Sequence, residues 1–123
     1  MSKTLIFLDD ERYPEDVTWV KYPTYDWGWV CCWGDAFMAE FYNQLKDKHL
    51  SELILSFDHD LQDFDDGGSE TTGFDVLKEV VEHLLNIKAC KDDLPTVYFH
   101  TMNPVGKKNM ESYWNNFVKS LEE

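Results

Sequence analysis

Basic side chains are scarce in this 123-residue sequence: 11 Lys and Arg stand against 24 Asp and Glu, a formal net charge of −13. That balance opposes nonspecific attraction to phosphate polyanions, so duplex DNA is not an expected partner, and a nucleic-acid substrate would need a local basic or metal-assisted site. Cysteine is also sparse. Cys31 and Cys32 are adjacent, Cys90 is distant and the count is odd, which leaves neither a disulfide framework nor the CxxC spacing of a zinc site. A reducing cytoplasm fits best. The apolar run near the N-terminus covers about five residues, too short for a signal peptide or a membrane span; no membrane partner is expected, and the mature chain is expected to begin at Met1 or Ser2. Internal repeats and low-complexity stretches are missing. Thr71, Thr72 and the serines have no His and acid arranged beside them as a nucleophilic triad requires.

What is present alternates between apolar strand-like runs and amphipathic helical runs, the pattern of an α/β sheet. The length suits one domain, residues 1–123. The first strand, TLIFL at Thr4–Leu8, is continuously apolar, as expected of a central strand buried on both faces. Residues 12–34 are aromatic and irregular, with Trp19, Tyr22, Tyr25, Trp27, Trp29 and Trp33 interrupted by Pro14, Pro23 and Gly28. Within them residues 29–33 read as a second strand and residues 17–21 as a weaker edge-strand candidate. Asp35 is expected to cap a helix with Phe37, Met38, Phe41, Tyr42 and Leu45 toward the core. LILSF at Leu53–Phe57 is the third strand. Thr72 and Asp75 suggest a capping box ahead of a helix that buries Phe74, Leu77, Val80, Val81, Leu84 and Leu85. TVYFH, residues 96–100, reads as a fourth strand, and Asn103 with Pro104 as the start of a last helix.

Two strands end in acid. The first stops at Asp9 and Asp10, the third at Asp58, His59 and Asp60. Ligands of an open parallel sheet collect at the carboxyl ends of its strands, so both acidic ends can meet in one crevice. Two carboxylates about 4 Å apart repel by roughly 4 kcal/mol at an effective dielectric near 20, so the gathering calls for a proton or a hard divalent cation such as Mg2+ or Mn2+. Solvated strand ends or helix caps are the alternative. The fourth strand delivers His100, Thr101 and Asn103, followed by Gly106, Lys107 and Lys108 in the first helical turn. This could be an anion site, with Gly106 allowing close approach of a phosphate, or an ordinary capped surface helix. His59 and His100 are the histidines at strand ends and candidates for general acid or base; His49 and His83 read as solvated side chains. The aromatic segment reads as buried rather than as a stacking surface for bases. The acidic loop 62–70 is long enough for a binding loop or lid. It fails as an EF-hand: starting at Asp58 puts Asp63 where Gly is required and Ser69 where the bidentate Glu belongs, and starting at Asp63 puts Phe74 there.

Taken in order, LIFLDDERYP, LSFDHDL, TGFDVLK and HTMNPVGKKNM resemble the cyclic-phosphate processing receiver domain family over nearly the whole chain. The resemblance implies a three-layer, flavodoxin-like (receiver-like) parallel sheet of about four strands in the order 2-1-3-4 with flanking helices, and action on cyclic phosphates such as 2′,3′-cyclic nucleotides or RNA ends. By position, Asp9, Asp10, Asp58, His59, Asp60, His100, Asn103 and Asn109 match its characteristic residues. Residues 15–27 look like an aromatic insertion, the 63–70 loop is long and acidic, and Thr101 stands where a small residue is usual.

The expected activity is a metal-dependent phosphodiesterase. Asp9, Asp10 and Asp58 would hold Mg2+ or Mn2+, with Asp60 a further ligand or an orienting group. Asp58, His59 and His100 would form the catalytic set, the two histidines sharing proton transfer, and Thr101, Asn103, Lys107 and Asn109 would bind phosphate. One rival is a signalling module phosphorylated on Asp58, weakened because no Lys follows a strand where receivers use one. Another is a noncatalytic acidic factor, viral or bacterial, that engages a protein partner, in the host cytoplasm if viral.

Overall fold

The computed structural model describes residues 3–64 and 66–121. Met1 and Ser2, where the chain start was expected, and Asp65 of the acidic loop lie outside the described residues, as do Glu122 and Glu123. The strands are β1 (Thr4–Leu8), β2 (Trp27–Cys31), β3 (Leu53–Phe57), β4 (Asp63–Phe64), β5 (Glu70–Thr71) and β6 (Thr96–Phe99), and the helices α1 (Gly34–Leu45), α2 (Gly73–Asn86) and α3 (Pro104–Ser120). Four parallel strands form the main sheet in the order β2-β1-β3-β6. This is the expected 2-1-3-4 order, because the short β4-β5 hairpin takes two of the labels. β1 is central and wholly buried. No described helix is long and apolar enough to cross a membrane.

Topology decides the layers. The chain steps from β1 toward one edge and then from β2 back across to β3 and β6, so right-handed crossovers put the first connection on one face and α1 and α2 on the other. Phe37 and Phe41 of α1, Leu77 and Val80 of α2, and Met110 and Trp114 of α3 pack with Ile6, Leu8, Leu55 and Phe57. Leu5, Phe7 and Ile54 on the opposite face are covered by Val17, with Val20, Tyr22, Tyr25 and Tyr98. The third layer is therefore the irregular segment 12–26, whose only regular element is a 3-10 turn at Pro14–Asp16.

Several local expectations are corrected. Residues 17–21 form no strand, since Val17 is spent on the core of the second face. β2 starts two residues before the expected Trp29 and is an edge strand. Its large side chains stay in solvent: Trp27 is 61% exposed and Trp29 39%, with Trp33 at 56% just beyond. Burial of the whole aromatic segment is thus wrong for these three tryptophans, and for Trp19, which is 43% exposed. Asp35 is not the cap of α1. Trp33 occupies that position without a side-chain bond, and Asp63 accepts from the Gly34 N–H at 3.2 Å instead, which ties the acidic hairpin to the helix. The Thr72 and Asp75 capping box forms as read, but Leu85 is exposed and Val76 takes its place in the core. His83 packs edge-on against Phe41 and Tyr42 rather than standing free.

Candidate active site

Strand register assembles the site. Leu8 pairs with Phe57 and Phe57 with Phe99, so the next residues, Asp9, Asp58 and His100, leave the sheet side by side. The ladder runs one step further: the Asp58 N–H donates to the Leu8 carbonyl at 2.9 Å and the His100 N–H to the Phe57 carbonyl at 3.1 Å. Asp9, Asp10 and Asp58 each present a carboxylate oxygen, all within 4.8 Å of one another.

The three acids differ in environment. Asp9 is buried, and its Oδ1 accepts from the Glu11 and Arg12 N–H groups at 2.8 and 3.0 Å while its Oδ2 meets His100 Nε2 at 3.0 Å and the Arg12 guanidinium at 3.5 Å. Burial alone would raise its pKa, but the His100 and backbone bonds outweigh burial and leave it below the usual carboxylate value. Asp58 is pushed the other way, first by burial and then by the charge of Asp9, against bonds from the Thr101 hydroxyl and the His59 N–H. Asp10 is raised by burial and by the charges of Glu11, Asp9 and Asp58. One firmly ionised acid beside two that resist ionisation is a site short of positive charge.

A crevice of about 170 Å³ opens on these acids, lined by Asp10, Arg12, Asp58, Asp60, Thr101 and Asn103 together with Glu11, Gln62 and Met102. Asp60 does not join the carboxylate cluster. At 59% exposure it accepts from His59 Nδ1 at 2.9 Å and from Asn103 Nδ2 at 3.1 Å, contacts that suit the orienting alternative. These bonds lower its pKa, His59 first. Asn103 caps α3 by accepting from the Gly106 N–H at 3.0 Å. A Cβ at Gly106 would meet the His59 ring at 2.5 Å, so this glycine makes room for an imidazole and not, as expected, for a phosphate.

His100, expected to share proton transfer, does not open on the crevice. Its side chain is 0% exposed, stacked on Phe7 at 4.3 Å with its Nδ1 2.7 Å from Ser56 Oγ, and it stands behind Asp9 where no substrate reaches it. Lys107 lines a different cavity, beside β6 with Val97, Tyr98, Glu111 and Trp114, and the exposed Asn109 is not part of the crevice lining. Neither lines the acidic crevice. The cation at the crevice is Arg12, which also lies 5.5 Å from the Trp19 ring centroid. Sequence reasoning passed over it, although it stands two residues after the acid pair in LDDER. Ser56 was detectable as the one polar residue of LILSF; Tyr22 and Gln62 carried no signal.

No curated protein and no solved structure matches the chain. A family model described as the cyclic-phosphate processing receiver domain matches residues 4–116. With the receiver-like sheet and its acidic strand ends in place, the chain belongs to the cyclic-phosphate processing receiver domain family.

Proposed function

We propose that this protein hydrolyses cyclic phosphates as a phosphodiesterase dependent on Mg2+ or Mn2+, with 2′,3′-cyclic nucleotides or RNA ends as its substrate class. The observation that carries the reading is the cluster of Asp9, Asp10 and Asp58 at one crevice with Arg12. The donor set fits such an ion: three carboxylate oxygens are hard ligands, and two of the acids are disfavoured as anions without a counter-charge. A bound cation would supply that charge and polarise a phosphoryl oxygen.

The side chains supply the rest. Arg12 faces the nonbridging phosphate oxygens and stabilises charge that develops on them. His59 is the acid–base group. Its Nδ1 is tied to Asp60, Asp60 to Asn103, and Asn103 to the N-terminus of α3, so the ring is held with Nε2 as the nitrogen that exchanges a proton. Hydrolysis adds water to phosphorus and breaks one bond to a sugar oxygen; a proton leaves the water and another reaches the departing oxygen. Thr101 holds Asp58 in place.

The test is incubation of the pure chain with 2′,3′-cyclic nucleotides and cyclic-ended RNA, with Mn2+ or Mg2+ and with chelator. Turnover should require the cation and fall about 100-fold or more in Asp58→Asn and His59→Ala. Absence of turnover under every condition, or variants as active as the parent, would reject catalysis; a stable acyl phosphate on Asp58 would instead favour signalling.

A further inference from the structure

We propose that the aromatic segment 12–26 is the supporting shell of the acidic site, and that Tyr22 is a positioning residue acting on Asp9 through Ser56 and His100. Three contacts connect them. Tyr22 OH lies 2.6 Å from Ser56 Oγ, Ser56 Oγ lies 2.7 Å from His100 Nδ1, and His100 Nε2 lies 3.0 Å from Asp9 Oδ2. Trp19, from the same segment, holds His100 from its other side by donating Nε1–H to the His100 carbonyl at 2.8 Å. Phe7 fixes the plane of the ring.

The direction of the chain follows from what each group can offer. Asp9 Oδ1 already accepts from the Glu11 and Arg12 N–H groups and its Oδ2 faces the Arg12 guanidinium, so Asp9 is the acceptor toward His100 and Nε2 carries the hydrogen. Nδ1 of the same ring is then free to accept, Ser56 donates to it, and the Ser56 oxygen accepts from the phenol. Burial keeps the Tyr22 hydroxyl protonated, its pKa pushed up to about 12. Every link therefore points toward Asp9, through Ser56 and His100 that are both fully buried. Supporting groups of this kind fix the tautomer and orientation of the groups they contact, and their loss characteristically weakens metal binding about 10- to 100-fold.

Only the affinity arm of the test rests on the cation reading. Long-range 1H–15N spectra of the full chain without metal should show His100 as the single tautomer with hydrogen on Nε2 and a hydrogen-bonded Nδ1. In Ser56→Ala the Nδ1 resonance should move to that of a nitrogen without a donor. Tyr22→Phe should produce a smaller shift of the same sign, a graded response that general loosening does not produce. Mn2+ affinity should fall about tenfold in Ser56→Ala and about threefold in Tyr22→Phe. Hydrogen on Nδ1 in the parent, or ring resonances unmoved by both variants, would overturn the proposal. If the parent binds no Mn2+, the cation reading fails and the ring spectra alone decide the positioning role.

Discussion

Replacing Asp58 by Asn should stabilise the metal-free protein and remove its response to cations. Asp9, Asp10 and Asp58 present oxygens within 4.8 Å of one another. Two full charges at that separation repel by about 3.5 kcal/mol at an effective dielectric near 20. Asp58 takes part in two such pairs, but Asp10 is partly solvated, and the donors Thr101 and His59 bond a neutral amide oxygen less strongly than a carboxylate. A net gain of about 1–2 kcal/mol remains, or roughly 4–8 °C in Tm for a chain of this size. The pH dependence has a matching sign. Because burial and Asp9 raise the Asp58 pKa in the fold, the folded state binds that proton more readily than the unfolded chain, and stability rises as pH falls from neutrality through the raised value. Asp9 acts oppositely: its folded pKa is lowered, so its contribution is present above the ordinary value and lost as pH falls through the lowered one. Thermal melts in chelator, near pH 7 and near pH 5, should show the parent gaining stability on mild acidification and the variant gaining less. At a concentration 100 times its Kd, Mg2+ should then add about 2.7 kcal/mol to the parent and little to the variant. An Asp58→Asn protein that melts below the parent in chelator, or that responds equally to Mg2+, would refute the charge argument.

Three further outcomes are expected. Gly106→Ala should destabilise by about 1–2 kcal/mol, since the new Cβ would overlap Cγ and Cδ2 of His59 and helix propensity returns only about 1 kcal/mol, and turnover should fall at least tenfold; melts beside the cyclic-phosphate assay check this. Gly73→Ala should destabilise by about 3 kcal/mol or more, because the new Cβ would overlap the Asp58 carbonyl oxygen where α2 starts, measured by denaturant titration. Gln62 lines the crevice at φ 52°, a left-handed conformation, so Gln62→Gly should stabilise by about 0.5–1 kcal/mol in the same titration.

The sheet was legible because its signals are local. Short runs at Thr4–Leu8 and Leu53–Phe57, each apolar but for one residue, read as strands buried on both faces, and the acids behind them mark their carboxyl ends. The cluster of Asp9, Asp10 and Asp58 follows from that register. What could not be read is direction in space. His59 and His100 look alike in sequence, one following an acid and the other a strand, yet one is partly exposed and held by Asp60 while the other lies fully buried behind Asp9. Lys107 looked like a phosphate ligand by proximity to Asn103, but α3 turns it toward β6. The aromatic residues posed the same difficulty. Tyr22 faces the core beneath the sheet while Trp27 and Trp29 share an edge strand that neither outer layer covers.

The irregular third layer also explains how so acidic a chain can work on a phosphate. A net charge of −13 repels the substrate at long range, but that repulsion is screened beyond about 8 Å at physiological ionic strength, so the groups at the crevice decide binding. The segment that covers the second face begins at Arg12, one turn from the acids. Arg12 is kept at the crevice by Asp9 on one side and the Trp19 ring on the other. Trp19 in turn holds the His100 carbonyl, and Tyr22, three residues on, reaches the far end of the same histidine through Ser56. A regular helix could bring Trp19 and Tyr22 to one face, but it would place their polar atoms about one turn apart along a single axis. The extended course taken here carries one to the backbone of β6's end and the other beneath β3. The same segment that closes the core thereby fixes the one cation and the most deeply buried carboxylate of the site.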